Sequence, residues 1–201
     1  MGCGEAALSC KKLICRRDEG FGKALTRLNL WKDGPAVVPI PFYLSAKAIQ
    51  TLDLTPGHDL MRTLMADPAR AAQQVQCVID YPRSPEDPRE LSEIPEVRLW
   101  FIRWDTVYPW LPYFLDWRRG ELARYAAMLV PHQFNPREGI LYNPEALEIF
   151  VYQKIFVLMR WFKQQQLGSV STLRDMALVF GFEIQPEFFA LWEAESGGPE
   201  P

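Results

Sequence analysis

The chain has 201 residues, 48% hydrophobic and 23% charged, with 13% aromatics, seven Trp and seventeen Pro. This is the composition of one globular domain, long enough to bury a core without disulfide or metal staples. A net charge of −3 excludes an overall basic field for a nucleic-acid backbone. No run reaches the roughly 18 uncharged apolar residues of a membrane helix, so no stable membrane insertion is expected.

Residues 1–36 read as a flexible extension. Residues 1–34 carry seven Lys/Arg against four Asp/Glu, and the remainder fifteen against twenty-one. The extension is therefore basic and the rest acidic. Cys3, Cys10 and Cys15 lie in the extension at spacings unlike a zinc or iron–sulfur pattern, and Cys77 stands alone. Nothing resembles a disulfide framework, which points to a reducing compartment. No signal peptide is visible. A single α+β domain is expected over residues 37–192, with a disordered tail at 193–201.

The domain opens with an edge strand over residues 37–44, interrupted by Pro39 and Pro41. Thr55-Pro56-Gly57 marks a turn before a short helix over 58–65, which Asp67-Pro68 ends. Two further strands are predicted, over 74–81 and 97–104. In the second, Val97, Leu99, Phe101 and Arg103 would share one face, and Arg98, Trp100, Ile102 and Trp104 the other. The connecting segment, residues 82–96, is rich in proline and charge and far longer than a hairpin turn. Such loops are usually functional or disordered.

Helices follow. Tyr113–Trp117 suits one helical turn, and 121–130 a short helix stopped by Pro131. Asn143-Pro144-Glu145 is a strong helix start, with Asn as N-cap and Pro in the first turn. The helix should run to about residue 166, with Leu147, Val151, Ile155, Leu158 and Phe162 as its apolar stripe. Two more are expected over 169–180 and 186–192. Strands first and helices after predict an α+β fold: a small antiparallel sheet of about three strands covered by C-terminal helices.

Parts for catalysis are few. The only histidines are His58, in a turn, and His132, just past a helix end. Nucleophile-elbow, P-loop, dinucleotide and His-Glu-x-x-His patterns are absent. Asp80, Glu86, Asp87, Glu90, Glu93 and Glu96 crowd the long loop. With His132, such carboxylates are the raw material of a metal-dependent hydrolase, the alternative reading. But Arg83, Arg89 and Arg98 interleave with them, as in a self-neutralising, solvated rim. No catalytic residue, metal ligand or cofactor site is assigned, and the chain is not expected to be an enzyme.

Recognition suits the same segment better. Proline lowers the entropy lost on binding, and Arg, Trp and Tyr dominate interface hot spots. The candidate partner contacts in and beside the loop are Asp80, Tyr81, Arg89, Glu90 and Glu93. Arg98, Trp100, Trp110, Trp117 and His132 complete the set.

Several runs resemble one family. They include Asp80-Tyr81-Pro82, the stretch Asp87-Pro88-Arg89-Glu90-Leu91-Ser92-Glu93-Ile94-Pro95-Glu96-Val97-Arg98-Leu99-Trp100, and Tyr108-Pro109-Trp110-Leu111-Pro112. Gly120-Glu121-Leu122-Ala123-Arg124-Tyr125, Pro131-His132-Gln133-Phe134 and Tyr142-Asn143-Pro144-Glu145 continue the likeness. Over residues 77–166 the chain resembles the chlororespiratory reduction 6 family. The resemblance implies an assembly and maturation factor, chaperone-like in action. Its partner would be the ferredoxin-like, iron–sulfur I subunit of the photosynthetic NAD(P)H dehydrogenase-like complex. It implies residence in a cyanobacterial cytoplasm or a plastid stroma, and it does not imply a catalytic site. Direct iron–sulfur handling by Cys3, Cys10 and Cys15 is a variant of the alternative, metal-dependent reading.

Overall fold

The computed structural model describes residues 38–135 and 137–195. The expectations placed on residues 1–36, including the three cysteines, and on 196–201 fall outside the described residues.

Strand β1 (Ile40–Ser45) is followed by a short helix α1 (Ala46–Gln50), which Ser45 caps by accepting from the Ala48 N–H at 3.3 Å. Helix α2 (Thr55–Met65) starts earlier than the sequence suggested, because Pro56 sits in its first turn. Its Gly57 is required by packing: a Cβ there would stand 2.6 Å from Nε1 of the buried Trp104. The four-residue helix α3 (Pro68–Ala71) leads into β2 (Val75–Asp80).

β1 and β2 pair in parallel, with Ile40 opposite Val75 and Ser45 opposite Asp80. The other edge of β2 is covered largely by side chains. The Glu121 carboxylate accepts from the Cys77 N–H at 3.0 Å, Arg124 donates to the Cys77 carbonyl at 3.3 Å, and the Asp116 N–H donates to the Val75 carbonyl at 2.9 Å. Fixed polar groups thus occupy an edge that would otherwise template aggregation.

The run expected as a central strand is a helix, α4 (Pro95–Val107). Val97, Trp100, Phe101 and Trp104, spaced three and four apart, form its buried face. Pro95 supplies its first turn, where a missing N–H costs nothing. The segment is apolar enough to fit a period of two as well as 3.6, which is why the strand reading failed. Phe42 of β1 packs on Trp104 and Trp100 at ring separations of 5.0 and 6.1 Å.

Two short 3-10 turns, Leu111–Phe114 and Trp117–Arg119, lead to α5 (Glu121–Leu129). A hairpin the sequence reading missed follows: β3 (His132–Asn135) and β4 (Gly139–Tyr142), antiparallel. The fold is mixed helix and strand as expected, but its sheets are two separate pairs, one of them parallel, and not one antiparallel sheet of three. Helix α6 (Pro144–Gln165) begins on the Asn143 cap, whose Oδ1 accepts from the Ala146 N–H at 2.9 Å. Helices α7 (Val170–Val179) and α8 (Pro186–Glu195) complete the described chain.

One charged cluster ties the helices together. Lys154 of α6 is fully buried, bonds Asp105 of α4 and donates to the Pro109 carbonyl at 3.3 Å. Tyr125 of α5 donates to the same Asp105 carboxylate. Burial holds the Lys154 pKa below its ordinary value, and the Asp105 charge opposes that shift.

Candidate functional site

The loop after β2 folds by satisfying its own charges. Arg89 forks onto Asp87 with Nε–Oδ1 and Nη2–Oδ2 contacts of 3.0 and 2.7 Å, and these bonds lower the Asp87 pKa to about 2. Arg83 donates to the Arg89 carbonyl. Glu90 and Glu93 build a reciprocal capping box on the 3-10 turn Leu91–Glu93. Glu93 also accepts from the Phe134 N–H of β3 at 3.3 Å, so both its oxygens hold backbone donors. The carboxylates therefore point to separate partners and do not converge. Among the described residues no group of three or more His, Cys, Asp or Glu is placed to hold a metal ion.

His132 is likewise built into the scaffold. Its Nδ1 lies 2.9 Å from the Val130 carbonyl, which can only accept, so the proton of the neutral ring sits on Nδ1. Nε2 then accepts from the Ser92 hydroxyl at 3.0 Å. The pair has the spacing of a nucleophile and its base, but Ser92 is only 3% exposed, and the ring leans on a backbone carbonyl with no carboxylate behind it. It pins the 3-10 turn to the hairpin.

Of the aromatic candidates, Trp100 and Trp117 have no exposed surface. Their indole N–H groups donate to the Asp53 and Pro112 carbonyls at 2.8 and 2.7 Å. Both are core side chains in this fold and not surface anchors, because the helical period turns Trp100 inward and the Trp117–Arg119 turn tucks Trp117 beneath it. Asp80 is exposed and Tyr81 half-buried against the core.

Two concave apolar surfaces stand out among the described residues. The first is the outer face of α4, where Leu99 and Ile102 are 45% and 42% exposed. They line a shallow groove of about 300 Å³ with Glu93, Pro95 and Arg98. The Arg98 Nε makes one contact, at 3.4 Å, to the Met128 carbonyl. The second is a cleft of about 340 Å³ between Pro109-Trp110 and α6, walled by Phe156, Trp161 and Arg160. Trp110 stacks on Trp161 there, with ring planes 6° apart and centroids at 6.1 Å. Sequence reasoning named Arg98 and Trp110. It missed Leu99 and Ile102 because the strand reading placed them on opposite faces. A test of the 3.6-residue period over 95–107 would have found them.

These surfaces are apolar, edged by arginine and lined with few groups suited to chemistry, a lining that suits the grip of another polypeptide. Among the described residues no helix is long and apolar enough to cross a membrane. No solved structure matches the chain. The sequence model of one family, chlororespiratory reduction 6, matches residues 44–191, from the end of β1 into α8 and across both open surfaces. The family name fits a role in assembly of the NAD(P)H dehydrogenase-like complex. By this match, which covers most of its length, the chain belongs to the chlororespiratory reduction 6 family.

Proposed function

We propose that this chain is a non-enzymatic assembly factor that binds the iron–sulfur I subunit of the photosynthetic NAD(P)H dehydrogenase-like complex before that subunit is installed. The observation that carries the reading is the family match over residues 44–191. The two open apolar surfaces support it, since they offer area and hot-spot residue types for a client polypeptide. The factor works in the cytoplasm of a cyanobacterium or the stroma of a plastid, shielding apolar client surface while the client matures.

Affinity capture of the tagged full-length chain from a photosynthetic host, read by mass spectrometry, tests this. The I subunit should be the enriched dehydrogenase subunit. Recovery of no dehydrogenase subunit, or an intact and active complex in a deletion strain, contradicts it.

A further inference from the structure

The charges on the open face of α4 identify what it accepts. Pro95, Leu99, Ile102 and Thr106 recur at intervals of three and four and so share one outward stripe. The Thr106 hydroxyl is bonded to the Ile102 carbonyl at 2.9 Å, which leaves its methyl group as the presented part. Arg98 and Arg103 fall on opposite sides of this stripe. Five other arginines hold a carboxylate: Arg62, Arg70, Arg89, Arg119 and Arg124 pair with Asp59, Asp67, Asp87, Asp116 and Glu121. Arg98 and Arg103 hold none among the described residues, like Arg83, Arg137, Arg160 and Arg174, but these two flank the apolar stripe. In a chain with an excess of acidic residues, two unneutralised guanidinium groups bracket an exposed apolar stripe.

No acid of the neighbouring loop forms an ion pair with Arg98 or Arg103. Asp87 is engaged by Arg89, and both oxygens of Glu93 hold backbone N–H groups. The charge of Glu96 acts on Arg89. The folded loop leaves Arg98 and Arg103 without an ion pair among the described residues.

We infer that the outer face of α4 docks a segment of the client polypeptide that is apolar along its centre and carries carboxylates on both flanks. Arg98 and Arg103 meet those carboxylates while Leu99 and Ile102 meet the apolar side chains. This inference rests on the reading that the chain binds a client, and it names the chemistry of the client segment.

The test replaces Leu99 with the photoreactive residue p-benzoylphenylalanine in the full-length chain. Irradiation is carried out with the purified I subunit and, separately, in host extract, and the crosslinked peptide is sequenced by mass spectrometry. The expected peptide holds aliphatic side chains with Asp or Glu on either side. Arg98→Glu with Arg103→Glu should lower capture of the same protein by about tenfold or more at unchanged melting temperature. Lysine in place of the client's crosslinked carboxylates should restore capture by that double variant. A crosslink to an acidic, apolar segment of a different protein removes the I subunit as client and leaves this inference standing. A crosslink to a neutral or basic segment, a crosslink to a second copy of this chain, or no crosslink overturns it. Capture by the double variant within about twofold of the unaltered chain also overturns it.

Discussion

The two faces of α4 are written in similar residues and do different work. The inner face sets Trp100 and Trp104 against Phe42, with no exposed surface on either tryptophan. The outer face sets Leu99 and Ile102 between Arg98 and Arg103, with close to half of each aliphatic side chain in water. Hydrophobicity alone does not separate them. Tryptophan goes inward because each indole buries a large area, and the Trp100 N–H keeps a partner there in the Asp53 carbonyl. Aliphatic residues of moderate size stay outside at tolerable cost, with arginine beside them keeping that face of the helix hydrated.

Substitutions on the inner side should break the fold. Trp100→Ala removes a fully buried indole and leaves a cavity, at a cost of about 3–5 kcal/mol in chemical denaturation. Lys154→Met leaves Asp105 without its ion-pair partner. It should cost about 3 kcal/mol, the low end for a broken buried pair, because Asp105 keeps 17% of its side chain exposed. Adding Asp105→Leu should recover only part of that loss, because the buried Tyr125 hydroxyl then loses its acceptor, and a double-mutant cycle reads the coupling directly. Gly57→Ala pushes a methyl group into Trp104 and should cost about 1–3 kcal/mol.

A smaller effect concerns pH. Burial raises the Glu121 pKa above 4.5, so between 4.5 and the raised value the folded chain holds its proton more tightly than the unfolded chain does. Native stability from this group is therefore full below pH 4.5 and is lost as pH rises through the raised value. Glu121→Gln should flatten that slope in denaturant melts taken at successive pH values. The smallest effect belongs to the outer face: Leu99→Ser with Ile102→Ser should change stability by no more than about 0.5 kcal/mol per site.

Local signals in the sequence were enough to place some of the helices. The Asn143 cap and the stripe from Leu147 to Phe162 define α6, and Pro39 and Pro41 mark β1 as an edge. Pairing was less legible. Parallel partners β1 and β2 are separated by three helices, and nothing local in either strand states which way its neighbour runs. The hairpin at 132–142 escaped because its strands are four residues each, too short for alternation to show. The α4 error had the largest consequence. Reading 97–104 with a period of two scattered Leu99 and Ile102 onto different faces, so the stripe that sets them between Arg98 and Arg103 could not be seen. The loop carboxylates were legible as charges but not as bonds, because only the fold shows that Glu90 and Glu93 cap a turn.

The account turns on one division of labour, in which the inner face of α4 holds the fold and the outer face holds the client. The affinity of the purified I subunit for the Leu99→Ser, Ile102→Ser double variant tests it most directly. The account predicts binding weakened by about tenfold or more in a protein that melts like the original. Unchanged affinity in that protein would contradict it.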